Sequence, residues 1–179
     1  IGGAVTNVAD FSVSGTTSLA ADVTTSGTQT YTGAVTMSGG NRTLTGTTIN
    51  TASTVNGGGN NLTITGNANM SGAVTNVADL SVSGTTNLAA DVTTTGAQNY
   101  TGALALGANV TFTMGTASTA TGVISGAYNL TKAGAGSFTL SGANTYSGTT
   151  TVSAGTLSVS GSLNDATAVT VASGATYDV

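Results

Sequence analysis

Residues 3–33 return at 72–102 with a constant offset of 69 and few substitutions, so the chain contains a duplicated unit. GAVTNVADFSVSGTTSLAADVTTSGTQTYTG becomes GAVTNVADLSVSGTTNLAADVTTTGAQNYTG. Beyond Gly33 and Gly102 the copies stay aligned with a one-residue gap. Asn41-Arg42-Thr43-Leu44-Thr45 answers Asn109-Val110-Thr111-Phe112-Thr113, and Asn61-Leu62-Thr63 answers Asn129-Leu130-Thr131. The internal repeats therefore cover 3–68 and 72–136. Such a period belongs to stacked architectures, in which a single repeat cannot bury its apolar face without a neighbour.

A finer pattern runs inside the unit: an apolar residue, a small residue, a second apolar residue, and glycine soon after. It occurs at Phe11-Ser12-Val13, Val35-Thr36-Met37, Leu62-Thr63-Ile64, Leu80-Ser81-Val82, Leu104-Ala105-Leu106, Phe138-Thr139-Leu140, Leu157-Ser158-Val159 and Val169-Thr170-Val171. Alternation with period two marks half-buried strands, and glycine supplies the turns that end them. A spacing of around twenty residues is the length of one coil of a three-sided β-helix. The expected fold is all-β, a parallel β-helix or β-solenoid, with 1–179 as one solenoid segment excerpted from a longer array. About nine coils at ~4.8 Å each give a rod of roughly 40 Å.

Composition agrees. Charged residues make up 4% of the chain and proline is absent, so every residue keeps an N–H for a ladder. Twenty-seven glycines and many β-branched residues disfavour helix. A hydrophobic fraction of 39% with a net charge of −4 places the chain on the folding side of the disorder boundary. The interior is expected to be dry and aliphatic and the exterior rich in hydroxyls. With no proline and almost no lysine to guard the outermost strands, end-to-end or lateral self-association is expected.

Candidate chemistry is sparse. The chain has no His, no Cys and no Glu, which removes imidazole and thiolate catalysis. Asp10 with Asp22, or Asp79 with Asp91, could line one face as a carboxylate pair, but aspartates that cap turns explain them better. The same aspartates are too isolated for a calcium site and lack the Gly-Gly-x-Gly-x-Asp run. Gly57-Gly58-Gly59 and Gly134-Ala135-Gly136 read as corners rather than phosphate cradles. No catalytic residue, metal ligand or cofactor is assigned, and no enzyme is expected. Two cations cannot neutralise a useful number of phosphates, so nucleic acid is excluded as a partner.

Three surface readings remain. The doublets Thr43-Leu44-Thr45, Thr63-Ile64-Thr65 and Thr111-Phe112-Thr113 suggest an ice-binding array only if they share one face, and their uneven spacing favours ordinary ladders. Asn-x-Thr at Asn41, Asn61, Asn109 and Asn129 resembles glycosylation acceptors, yet its recurrence at equivalent turns points to asparagine ladders. Tyr31, Tyr100 and Tyr146 could stack on sugars, with packing at turn edges as the plainer reading.

Residues 129–159 read NLTKAGAGSFTLSGANTYSGTTTVSAGTLSV. The order Leu130-Thr131-Lys132, Gly134 and Gly136, Phe138-Thr139-Leu140-Ser141-Gly142, Asn144-Thr145-Tyr146-Ser147-Gly148, Thr150 with Val152, and Gly155-Thr156-Leu157 closely resembles the passenger-associated transport repeat. That repeat, the autotransporter-associated β-strand repeat, occurs in secreted passenger regions of Gram-negative autotransporters, and the resemblance spans about 129–160. More loosely, the 69-residue unit is similar to repeats of large haemagglutinin-type exoproteins. The resemblance implies a right-handed β-helix, secreted or held at the outer cell surface, that serves as a structural stalk or fibre segment of an adhesin-like protein. An ice-binding or polysaccharide-binding solenoid surface is the alternative. Partners would be neighbouring coils and a cell-surface or polysaccharide ligand. No apolar run approaches the ~20 residues of a membrane-spanning helix.

Overall fold

The computed structural model describes residues 1–165 and 167–179. Among them there is no helix, and the 22 strands, Val5–Val8 (β1) through Thr176–Asp178 (β22), pair only in parallel. Each strand pairs with one about a coil away in sequence, so the chain winds as a β-solenoid of about nine turns. All eight predicted apolar triplets lie in strands.

Three ladders form the three sides. The first runs Val5, Val23, Leu44, Ile64, Val82, Tyr100, Ala120, Leu140, Val159. The second runs Val13, Tyr31, Thr51, Met70, Leu88, Leu106. The third runs Val35, Val55, Val74, Val92, Phe112, Lys132, Val152, Val171. Parallel pairing in this register places like parity on like parity, so inward residues of successive coils form continuous core columns. Aromatic rings continue the stacking, with Phe112 lying 5.2 Å from Phe138 and 6.0 Å from Tyr100 between centroids.

The duplicated unit does not close on a whole number of turns. Val5 belongs to the first side, while its copy Val74 belongs to the third; Val13 lies on the second, while Val82 lies on the first. The 69-residue step therefore fills three full turns and two of the three sides of the next. Each copy presents its residues one side away from where the previous copy did.

The interior is less aliphatic than the composition suggests. Gln29, Gln98 and Lys132 are fully buried, and Arg42, Thr17, Thr51, Thr86, Ser118 and Thr150 are buried too. This corrects the expectation of a dry aliphatic core. A three-sided coil of about twenty residues leaves backbone carbonyls at its corners that face inward, and long polar side chains on inward positions reach them.

Candidate functional surface

The corners are built by side chains that accept from the coil above. At successive corners leading onto the first side, Asp22 Oδ1 accepts from Thr43 N at 2.9 Å, Asn41 Oδ1 from Asn61 N at 3.0 Å, Asn61 Oδ1 from Asp79 N at 3.1 Å, and Asp79 Oδ1 from Ala97 N at 2.7 Å. Leading onto the third side, Asp91 Oδ1 accepts from Thr111 N at 2.7 Å, Asn109 Oδ1 from Asn129 N at 3.0 Å, and Asn129 Oδ1 from Thr149 N at 2.8 Å. Asp10 Oδ1 does the same for Thr28 N at 2.7 Å on the way to the second side. Short Asx side chains suit this work because a turn leaves an N–H without a ladder partner, and one carboxyl or amide oxygen reaches it.

These contacts decide the carboxylate pairs. Asp10 and Asp22 stand at different corners, as do Asp79 and Asp91, and each is spent on a backbone N–H. They do not line one face as pairs. Among the described residues no three acidic, His or Cys side chains come together. The glycine runs are likewise occupied: Gly136 N donates to Met114 O at 3.0 Å, and Gly58 N to Asn56 Oδ1 at 2.9 Å. Gly134 has a φ of +77°, and a Cβ there would sit 2.3 Å from Met114 O, so this corner admits no side chain.

Tyr31, Tyr100 and Tyr146 are not surface residues at all. They are 0%, 1% and 0% exposed, which rules out sugar stacking and leaves packing, with Tyr31 and Tyr100 closing their strands just ahead of a turn. The Tyr31 hydroxyl donates to Gln29 Oε1 at 2.9 Å, and Gln29 Nε2 donates to the carbonyls of Val23 at 3.0 Å and Thr45 at 2.8 Å. The second copy repeats this, with Tyr100 on Gln98 at 3.1 Å and Gln98 on Val92 at 3.1 Å and Thr113 at 2.8 Å. Tyr146 shares a 2.6 Å hydrogen bond with Thr150 Oγ1. Burial pushes all three phenols above their usual pKa.

Both side-chain cations are also internal. Lys132 Nζ donates to the carbonyls of Ala133 at 2.8 Å, Gly134 at 2.9 Å and Ala154 at 3.1 Å, tying one coil to the next. Desolvation pulls its pKa down to about 8. Arg42 donates to the carbonyls of Leu19 at 3.1 Å, Asn41 at 2.6 Å and Ser38. Sequence reasoning missed these roles, although parity carried the signal. Gln29 shares the phase of Tyr31 and Lys132 that of Leu130, and both partners face the core.

The polar part of the outer surface is therefore amide, hydroxyl and carboxylate, beside the exposed side chains of Val123, Tyr128, Val171 and Val179. Asp10, Asp22, Asp79, Asp91, Asp165 and Asp178 are all exposed and no side-chain cation joins them there. Columns of hydroxyls run along the sides, including Thr111, Thr131, Thr151 and Thr170 on the third. The threonine doublets split between sides: Thr43 and Thr45 stack on Thr63 and Thr65 on the first, while Thr111 and Thr113 lie on the third. The single face that an ice-binding array requires is not assembled from them.

The fold and surface define a three-sided parallel β-solenoid whose specific side chains serve its own backbone. Within it, residues 130–159 match the family model of the passenger-associated-transport-repeat. The match and the solenoid together fit an autotransporter passenger repeat. The matched stretch runs from Leu130 on the third side around to Val159 on the first, and includes buried Lys132, Phe138, Tyr146 and Leu157. No curated protein and no solved structure matches the chain. No helix among the described residues is long and apolar enough to cross a membrane.

Proposed function

We propose that this chain is a stalk or fibre segment of a Gram-negative surface or secreted adhesin-like protein, with no catalytic site of its own. One observation carries the reading. Residues 3–33 and 72–102 differ at five positions, and four of them, Ser18/Asn87, Ser26/Thr95, Thr28/Ala97 and Thr30/Asn99, are exposed or half-buried. Only Phe11/Leu80 changes a core position. Every change but one falls where solvent reaches, and the stacking residues are kept, as a spacer requires. Because successive copies also rotate by one side, a repeated surface motif spirals around the rod and presents no single binding face. The passenger-type repeat at 130–159 supports display outside the cell.

In this reading adhesion arises from many weak contacts along the rod, and lateral association of rods would multiply them. Tandem fusions of the 69-residue unit test the structural part. By electron microscopy the rod should lengthen by about 18 Å per added unit at ~4.8 Å per turn. Particles whose length ignores unit number would refute it. For the adhesive part, concatenated copies should be retained on cells or polysaccharide more strongly than one copy; equal retention would remove adhesion and leave the stalk.

A further inference from the structure

The three Thr-x-Thr doublets read from the sequence divide between two sides, but two of them begin a longer series that only the winding brings together. On the first side an outward column runs Thr43, Thr63, Ser81, Asn99, Thr119, Thr139, Ser158. Two residues further along each strand stands another Thr or Ser, from Thr45 in the first of these coils to Ser160 in the last. This second column stays on the ladder, because Ser83, Thr101 and Thr121 N donate to Ile64, Val82 and Tyr100 O at 3.0 Å each. All members of both columns are exposed or half-buried. Both columns stay clear of charged, aromatic and aliphatic side chains until Asp178 pairs above Ser158. Outward alanines break the other sides, Ala105 on the second and Ala133 on the third.

The members are not copies of one another. Thr43 and Thr63 belong to the first unit, Ser81, Asn99 and Thr119 to the second, and Thr139 and Ser158 to the coils beyond. The rotation that scatters copied residues around the rod brings these unlike strands onto one face.

We propose that this face binds ice. Its members lie ~4.8 Å apart from coil to coil and roughly 6.7 Å apart along a strand, the rise of two residues. Oxygens on the prism planes of hexagonal ice repeat at a closely similar pair of distances, so successive hydroxyls can take up lattice positions of water in both directions. The columns are also straight and stiff. No register shift falls within them, and buried Leu62, Leu80 and Phe138 hold the strands from behind. Threonine is confined at χ1, which fixes its hydroxyl and methyl together. The hydroxyls of Thr43, Thr63, Thr65, Thr101 and Thr139 make no hydrogen bond to other described residues, which leaves them for water. A sugar is the poorer occupant, since the face has no aromatic ring to stack on a pyranose. The carboxylates of Asp22 and Asp79 stand at the corners, off both columns. A rod with or without adhesive contacts carries the same face, so the inference stands apart from the stalk reading.

The test uses the full chain. The folded protein should lower the freezing point below the melting point, facet growing ice crystals and be drawn into a slowly growing ice front. Thr119→Tyr, in the middle of the face, should abolish all three effects, whereas Asn87→Tyr, outward on the second side, should keep them. Both variants should retain the parent's urea midpoint, because exposed positions tolerate substitution, so a loss reports the face and not the fold. A folded parent without thermal hysteresis, or equal losses from the two variants, would overturn the proposal. So would retention on crystalline polysaccharide that Thr119→Tyr removes while ice growth is unaffected, which would make the face a sugar surface.

Discussion

Residues 3–33 and 72–102 are nearly the same sequence, the first with a coil of the described residues on one side only and the second with coils on both. The first copy leaves Val5, Val8, Phe11 and Val13 half-buried, whereas the second copy buries Val74, Val77, Leu80 and Val82 completely. The bonds inside each copy are unaffected: the tyrosine–glutamine pair and the corner aspartates recur with nearly the same distances. Short-range structure thus follows the chain, while burial depends on whether a neighbouring coil is present. In a quasi-one-dimensional fold, stability is shared between adjoining coils.

The sharpest way to break this comparison is to truncate the core at matched sites. Leu80→Ala should cost about 3 kcal/mol, and Phe11→Ala clearly less, despite its larger side chain, because its site already faces solvent. Urea denaturation of both variants decides it, and equal losses would deny the effect of a second neighbour. Next in size, Gln98→Leu should cost about 2 kcal/mol by leaving the Val92 and Thr113 carbonyls and the Tyr100 hydroxyl without partners. Gln29→Leu should cost a similar amount, since Gln29 is equally buried.

Lys132 has no counterpart cation in the first copy, and predicts a pH dependence. Its folded pKa of about 8 lies below the ordinary 10.5, so between those values the unfolded chain binds a proton that the folded chain does not. Stability should therefore rise with pH from about 8 toward 10, and show no slope from this group below 8. Above 10 the buried tyrosines oppose the trend, because their phenols ionise more easily in the unfolded chain. In Lys132→Met the rise between pH 8 and 10 should vanish, as measured by denaturation midpoints across that range.

Smaller effects test the polar interior and the exterior. Thr17 and Thr86 are twins whose buried hydroxyls have no hydrogen-bond partner. Thr86→Val should stabilise by about 1 kcal/mol by removing an unpaired polar atom at nearly constant volume, read as a higher melting temperature. Exchanging the copies' outer residues, Asn87→Ser or Asn99→Thr, should change stability by less than about 0.5 kcal/mol. A large loss there would mean that the exterior is under structural constraint.

Much of this architecture was legible. Triplets such as Leu62-Thr63-Ile64 announce strands because alternation puts two apolar side chains on one face, and recurring Asn41, Asn61, Asn109 and Asn129 announce corner ladders. For the tyrosines the order of residues favours packing but not its depth, because a phenol beside a glycine suits a turn edge as well as a core. Their partners Gln29, Gln98 and Thr150 show the inward environment only once the strands are closed into a coil.

By itself, then, the amino-acid order determined the strands, the corners and the parallel winding, since alternation, glycine placement and repeat spacing are local and periodic properties. Tertiary structure alone decided two things: that Lys132, Arg42 and the glutamines turn inward, and that the duplicated unit advances by one side. Each depends on how many residues complete a turn and on what lies in the neighbouring turn. Those are relations between coils, carried by hydrogen bonds and packing across sequence separations of about twenty residues, and they arise only when the coils stack.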